Sequence, residues 1–409
     1  MDVVAWVGVD WADQKHDFAA RGADGSEERG TFSSRPEELH AWVARLRERF
    51  AGGPIVVAME QSRGALRYAL SRYDFLMLVP LNPRAVSAYR ESLHLSGAKD
   101  DPVDAELIRN FAMAHLDKLR VWRADDVATR KLRLLVEHRR DLVAQRTSQL
   151  QALIAALKEY FPQALTWFSP TSKRLRAFLA AWPTLEAAQR ARTDALRKVI
   201  GSRLSGERLE EILAAIRSAV PLTTDSAVVE ALALRVRSGV ALLAVLDEQI
   251  QAHDEAISAV WSTHEDRELF ESFPGAGAVF APRLAAAFGS DRSRFSDAAE
   301  MQNYSGTSPV KVRSGKRETV HARWQRPVFL HQTFHEFAEA SLPHSRWAAA
   351  FFRQQRERGA SYRAAIRALA FRWIRVLYAC WRDRTRYDEA TYLAALERRG
   401  SPLQNRLAA

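Results

Sequence analysis

Val7-Gly8-Val9-Asp10 closes the first apolar run of the chain, and Val56-Val57-Ala58-Met59-Glu60 closes the second. Both runs are short and rich in β-branched residues, as expected of buried strands. Each ends on a carboxylate that folding does not require. If the two strands are neighbours, both acids meet at one sheet edge, where open α/β sheets place their ligands. Outward from this pair, His16 to Arg21 and Glu28 to Phe32 read as two further strands joined by the turn Gly22-Ala23-Asp24-Gly25. Pro36 to Phe50 carries Leu39, Trp42, Val43 and Leu46 on one helical face, and Gly52-Gly53-Pro54 ends it. Ala65 to Ser71 reads as a helix, Phe75 to Pro80 as a strand, and Pro102 opens a helix toward Leu116. Residues 1–125 are expected to form an α/β domain.

A third acidic motif follows: Lys99-Asp100-Asp101-Pro102-Val103-Asp104-Ala105. Asp101 and Asp104 share a face at a helix start. Structural roles stay open at this point. Asp10 suits a strand-end turn and Glu60 a surface position. Asp101 before Pro102 suits an N-cap, with Asp104 at the third helical position. The order strand-acid, strand-acid, helix with two acids favours chemistry. Four converging carboxylates repel one another without cations, and hard oxygen ligands suit Mg²⁺ or Mn²⁺. Two such ions roughly 3.5–4 Å apart promote phosphoryl transfer.

From Val127 the texture is helical. Leu132, Leu135, Val136, Leu142, Val143, Leu150, Leu153, Ile154 and Leu157 recur mostly at steps of three and four, predicting a long helix of coiled-coil character. Leu242, Leu243, Leu246, Ile250, Ile257 and Val260 predict its partner, in an antiparallel stalk or a dimer seam. Between them, small helices broken by Pro183 and Gly206 are expected. Residues 126–264 are thus assigned to a helical coiled-coil and linker region, and 265–409 to a mainly α C-terminal domain. There, Phe273-Pro274-Gly275-Ala276-Gly277 reads as a turn between helices whose glycines let backbone approach phosphate. Basic residues Lys311, Arg313, Lys316 and Arg317 surround Ser314-Gly315 in a predicted loop or hairpin. Ser361 to Trp381 reads as a core helix. Its Arg363, Arg367, Arg372 and Arg375 are candidates for phosphate contact.

Composition limits the classes. Among 409 residues, 60 Lys and Arg outnumber 49 Asp and Glu, giving a net charge of +11 that favours a polyanionic partner, nucleic acid before membrane. The single cysteine, Cys380, lies in an apolar run and is read as core filler, which fits a reducing compartment. His331 and His335 have metal-ligand spacing, but Gln332 stands where a zinc protease carries Glu, so they read as ordinary helix residues. No secretory signal or membrane span is expected, and a cytoplasmic, nucleoid-associated location follows.

The acidic motifs together resemble the DEDD transposases of bacterial insertion sequences that encode a bridge RNA. Val7 to Asp10 matches the first motif, Glu60-Gln61-Ser62-Arg63-Gly64 the second, Leu81-Asn82-Pro83 the segment after the next strand, and Lys99 to Ala105 the third. Asp100 stands where the family carries threonine, leaving open whether it also binds metal; register favours Asp101 and Asp104. Phe273 to Gly277, Phe295-Ser296, Tyr304-Ser305-Gly306 and Ser314-Gly315-Lys316 resemble the family's C-terminal domain. The family's Gly-rich continuation is replaced by His321-Ala322-Arg323-Trp324. The resemblance implies a ribonuclease H/RuvC-like fold for residues 1–125, with Asp10, Glu60, Asp101 and Asp104 as metal ligands. It implies Ser314 as the nucleophile, with Ser305 and Ser308 as rivals. Lys99, Lys311, Arg313, Lys316 and Arg317 are the expected nucleic-acid contacts. Donor and target DNA, a guide RNA and a homo-oligomer (dimer or tetramer) with composite sites are the implied partners. The competing readings are a Holliday-junction resolvase-like metal nuclease, a sugar-kinase-like ATPase and a non-catalytic nucleic-acid-binding protein. The turn Asp10-Trp11-Ala12-Asp13 lacks the glycines of the kinase reading.

Overall fold

The computed structural model describes residues 2–60, 64–93, 101–201, 204–315, 317–321, 323 and 326–403. They divide into two compact units, 1–125 and 126–409.

The first unit is built on a five-stranded sheet. β1 (Ala5–Asp10), β2 (Lys15–Gly22) and β3 (Glu27–Ser33) form an antiparallel meander. Helix α1 (Pro36–Arg49) leads to β4 (Ile55–Met59), and α2 (Ala65–Leu70) to β5 (Leu76–Pro80). The strand order is β3-β2-β1-β4-β5, with β1, β4 and β5 parallel. Strand alternation sends successive side chains to opposite faces. Val7, Val9, Val57 and Met59 enter a core with Leu39, Trp42, Val43 and Leu46 of α1. Val56, Ala58 and Val79 enter a second core with Val86 of α3 (Pro83–Leu93) and Ile108 and Ala112 of α4 (Asp101–His115). Coverage on both faces is why β1, β4 and β5 read as continuous apolar runs. Helix α3 has no counterpart in the sequence reading. Its start is explained by Asn82, whose Oδ1 accepts from the Arg84 amide at 3.0 Å, with Pro83 at the first helical position.

The second unit opens with α5 (Val127–Tyr160), capped by Asp126, whose carboxylate accepts from the Thr129 amide at 2.8 Å. It packs antiparallel on α11 (Ser226–Trp261). Arg139 pairs with Asp254, Arg146 lies 3.6 Å from Asp247, and Gly239 faces Leu153. The two apolar stripes therefore meet within one chain. Leu242, expected in that seam, is exposed, while Leu243, Ile250 and Ile257 are buried. One residue of helical phase makes the difference. Between the long helices, α6 (Gln163–Trp167), α7 (Lys173–Ala181), α8 (Leu185–Arg190), α9 (Thr193–Ile200) and α10 (Gly206–Ser218) close a core around Phe161, Phe178, Leu196 and Ile216. Pro183 separates α7 from α8 as expected. Gly206 does not break a helix: it is the first residue of α10, behind the cap Ser205. The remainder comprises α12 (Arg267–Glu271), α13 (Gly277–Phe288), α14 (Ala298–Tyr304), the hairpin β6 (Val310–Ser314) and β7 (Arg317–His321), α15 (Val328–Ser341), α16 (Arg346–Glu357), α17 (Tyr362–Asp383) and α18 (Glu389–Arg398). Ile366, Leu369, Ala370, Trp373, Leu377 and Trp381 of α17 are all buried, as their spacing predicts. Among the described residues no helix is long and apolar enough to cross a membrane.

Gly8 fixes how α4 lies on the sheet. A Cβ there would stand 2.0 Å from the Ala105 carbonyl oxygen and 2.5 Å from the Arg109 amide nitrogen. Both obstacles are backbone, so no side chain can move aside. Gly8→Ala should therefore lift α4 from β1, with overpacking of about 2 kcal/mol. In native-state hydrogen exchange, amides of Leu107 to Ala112 should lose about 30-fold protection while those of α1 keep theirs. Unchanged protection of α4 would show that the contact is not limiting.

Candidate active site and nucleic-acid interface

The register between β1 and β4 sets Val9 opposite Met59, so Asp10 and Glu60, one residue on, sit side by side at the carboxyl edge. Asp10 follows Val9 and so projects to the α4 side of the sheet. Ala105 lies over Gly8. Arg109, one turn on, is buried, donates to the Ala20 carbonyl at 3.4 Å and lies 3.5 Å from Glu27. Ala20 and Glu27 belong to the amino-end half of β1's neighbourhood, since Ala20 pairs with Val7. Helix α4 therefore runs antiparallel to β1, and its first turn, carrying Asp101 and Asp104, comes to the edge that holds Asp10. Gly8 seats the helix, and Asp10, two residues on, lies on the same face of the sheet.

Asp104 is 3% exposed, and its Oδ1 accepts from the Arg90 guanidinium of α3 at 2.7 Å. The side chain of Asp101, and residues Lys99 and Asp100, lie outside the described residues. Among the described side chains, no set of three His, Cys, Asp or Glu is gathered tightly enough to hold a metal ion. An acid that sequence reasoning passed over, Asp17 of β2, pairs directly with Asp10 in the strand register. Nothing but the antiparallel register brings the two together. The chain leaving Asp10 is pinned by Trp11, which stacks on His16 at 4.5 Å, and by the Ala12 amide, which donates to His16 Nδ1 at 3.3 Å. Burial holds the His16 imidazole below its ordinary pKa, consistent with an accepting Nδ1.

In the second unit, Ser314 ends β6 opposite Arg317, and Gly315 at the tip has φ +57°. The predicted hairpin is present, and Val312, Arg313, Gly315 and Thr319 are exposed on it. Lys316 and the side chains of Lys311, Ser314 and Arg317 lie outside the described residues. The rival serines are structural. Ser305 is fully buried, donates to the Gln302 carbonyl at 3.1 Å and lies 3.1 Å from Thr307 Oγ1. Ser308 is buried as well. Ser305, with no exposed surface, is closed to a phosphodiester. The Pro-Gly-x-Gly turn also serves packing. A Cβ on Gly275, which has φ +77°, would stand 2.4 Å from the Ala340 carbonyl oxygen. Gly275 thus admits the end of α15, while Gly277, the first residue of α13, has open space where a Cβ would stand.

At the base of the hairpin is a cleft of about 110 Å³, onto which Arg323, Arg326 and Arg367 converge. Of the five α17 arginines, Arg367 alone lines it. Arg372 instead donates Nε–H to the Tyr392 hydroxyl at 3.1 Å and lies over the Phe351 ring. Arg323 and Arg326 were missed because only folding brings their segment against α17. His331 and His335 stack at 3.9 Å, and His335 Nδ1 donates to the His331 carbonyl at 2.7 Å. Burial, then His335, Arg326 and Arg367, push the His331 imidazole down to about 3. Burial likewise lowers His335. Both are neutral at physiological pH. Burial pushes the Cys380 thiol up to about 11, so it is no nucleophile there.

Comparison with known proteins agrees with these two regions. A transposase profile of the DEDD IS110 type matches residues 7–162, and a profile described as transposase IS116/IS110/IS902 family matches residues 267–353. The chain is 30% identical to the mini-circle putative transposase for IS117 of Streptomyces coelicolor, across 96% of this chain and 98% of that protein. It is 27% identical to the 44.8 kDa protein of insertion element IS116 of Streptomyces clavuligerus, across 94% and 96%. It is 26% identical to the 42 kDa protein of insertion element IS900 of Mycobacterium paratuberculosis, across 88% and 90%. The acid-bearing strands and the serine hairpin each fall inside a matched region, and the chain belongs to the IS116/IS110/IS902 family of insertion-sequence transposases.

Proposed function

We propose that this transposase cuts and rejoins DNA through a transient phosphoserine link, with Ser314 as nucleophile and the acids of the first unit as a divalent-metal site. The observation that carries the reading is the β1–β4 register, which sets Asp10 and Glu60 side by side under the first turn of α4. A sheet of order β3-β2-β1-β4-β5 with three parallel strands also supports a ribonuclease H/RuvC-like fold.

The residues fit Mg²⁺ or Mn²⁺. Their donors are hard carboxylate oxygens. Asp17, paired with Asp10 across β1 and β2, brings a further carboxylate to the same edge. Asp10, Glu60, Asp101 and Asp104 would hold the ions, with Arg90 giving up Asp104. Bound there, such ions lower the cost of deprotonating an attacking hydroxyl and of charge on a leaving oxygen. Ser314 Oγ bonds to phosphorus as one phosphorus–sugar oxygen bond breaks, and the serine proton ends on the released sugar oxygen. Attack by a sugar hydroxyl on the phosphoserine reverses this. The phosphoester count is conserved, and rejoining needs no ATP. Lys311, Arg313, Lys316 and Arg317, neighbours of Ser314 in sequence, would supply positive charge that favours the attacked phosphate.

A homo-oligomer in which acids and serine come from different protomers accords with the apolar face that α11 leaves open at Leu234, Leu242 and Val245. Guidance by an element-encoded RNA rests on the family resemblance and on the net charge of +11. Recombination of donor and target DNA by the purified protein without RNA would remove that part.

Ser314→Ala should bind DNA as the wild type does, yet give no covalent protein–DNA adduct on denaturing gels with end-labelled DNA, and no recombinant. Asp10→Asn and Glu60→Gln should lose the adduct too, because carboxamides do not hold the cations. Adduct from Ser314→Ala, or only free hydrolysed ends from wild type, would replace the serine reading with a plain metal nuclease. The Arg90–Asp104 pair offers a separate check on the metal. Arg90→Ala leaves a buried carboxylate without its partner and should destabilise the protein by about 3 kcal/mol in metal-free buffer. Added Mn²⁺ should then raise the variant's melting temperature more than the wild type's. An equal rise in both, or none, would count against Asp104 as a ligand.

A further inference from the structure

Elsewhere in the second unit, the buried Arg283 and the half-buried Arg140 and Arg292 are matched by acids. Arg283 and Arg140 both lie 2.7 Å from Glu336, and Arg292 pairs with Asp266. The cleft at the hairpin base differs. Gly306, Ser308, His321, Arg323, Arg326 and Arg367 line it, and no described carboxylate pairs with its three guanidiniums. Like charges gathered this closely repel unless an anion lies among them. The Nε atoms of Arg323 and Arg367 are buried and have no hydrogen-bond partner among the described residues. A buried donor left so is destabilising, and an acceptor in the cleft would relieve it. His331 Nδ1 and His335 Nε2 are also buried and have no hydrogen-bond partner among the described residues.

The cleft is pre-organised. Gly306 has φ +71°, and a Cβ there would stand 2.3 Å from Arg326 Cβ, so the glycine admits that arginine. Arg326 in turn donates to the Arg323 carbonyl at 2.7 Å. Arg367 comes from α17, whose Ile366, Leu369 and Ala370 are buried, so its backbone is anchored by the core. Guanidiniums held by backbone and core lose little freedom on meeting a phosphate, whose oxygens suit their forked donors.

Position distinguishes this site from the attacked phosphate. Val310 pairs with His321 at the base of the hairpin, and Ser314 lies four residues up β6. At about 3.3 Å per residue, that is roughly 13 Å of strand. We infer that the Arg323–Arg326–Arg367 cleft seats a non-scissile phosphate of the DNA strand and thereby registers that strand on the Ser314 hairpin. The three arginines are positioning residues, since none reaches the reacting atoms. The inference rests on the reading that this hairpin meets DNA.

The test uses the full chain, with Arg323→Gln/Arg367→Gln as the loss variant and Arg367→Lys as the conservative one. Arg326 is left in place because Gly306 packs on it. Binding of a mixed-sequence duplex is followed by fluorescence anisotropy between 50 and 300 mM salt. The double variant should bind about 10-fold more weakly at the lower salt. Its slope of log affinity against log salt should be shallower by about 0.9, one phosphate's worth. Arg367→Lys, which keeps the charge, should keep the wild-type slope. A wild-type slope in a double variant of unchanged melting temperature overturns the inference. If the double variant melts early, Arg367→Gln alone is read against Arg367→Lys by the same criterion. A loss confined to an RNA duplex of equal length overturns the assignment to DNA. So does a stabilisation by inorganic phosphate that the double variant lacks while its DNA slope stays wild-type. Failure of the serine reading looks different: wild type then forms no covalent adduct, yet the slope change persists.

Discussion

A missing β-carbon sets the geometry of the first unit. Helix α4 crosses the sheet at Gly8 so closely that a methyl group would meet the Ala105 carbonyl. Glycine is the one residue that permits this approach. Arg109 then anchors the helix one turn further on, through Ala20 and Glu27. The polar consequences follow from that packing. Because α4 runs antiparallel to β1, its acidic first turn arrives at the edge where β1 and β4 deliver Asp10 and Glu60. An apolar contact and a carboxylate edge are two ends of one four-residue motif.

The second unit solves a different problem, that of offering a polar hairpin from an apolar bundle. Aromatic residues Phe273, Phe288, Phe337, Trp347, Trp373 and Trp381 hold the helices together, and their indole N–H groups find acceptors inside. Trp373 donates to Ser341, Trp381 to the Gly289 carbonyl and Trp347 to Tyr387. Against that frame, Ser305 and Thr307 turn inward and bond to Gln302, while the hairpin that follows exposes Val312, Arg313, Gly315 and Thr319. The basic cleft lies where the two regimes meet.

The sheet was legible because strands covered on both faces write uninterrupted apolar runs, and the acids ending Val7–Asp10 and Val56–Glu60 broke those runs visibly. The long helices α5 and α11 were legible from periodicity, although Leu242 and Leu243 shared a stripe in sequence and separate in space. Helix α3 escaped notice because its opening Asn-Pro carries no apolar signal until Val86 is seen to be buried. Asp17 was illegible, since strand register decides its meeting with Asp10. The same holds for Arg323, Arg326 and Arg367. Their convergence depends on a hairpin folding back on α17, which no local spacing encodes. The packing role of Gly275 was illegible, since only folding brings the end of α15 against it.

The central claim is that seating α4 on Gly8 gathers Asp10, Glu60 and the α4 acids into one cation site. Crystals soaked in Mn²⁺ and measured at the manganese absorption edge test it directly. An anomalous peak bounded by the carboxylates of Asp10, Glu60 and Asp104, with Arg90 displaced from Asp104, is the expected result. Density without a peak at that edge, with Asp104 still held by Arg90, would contradict it.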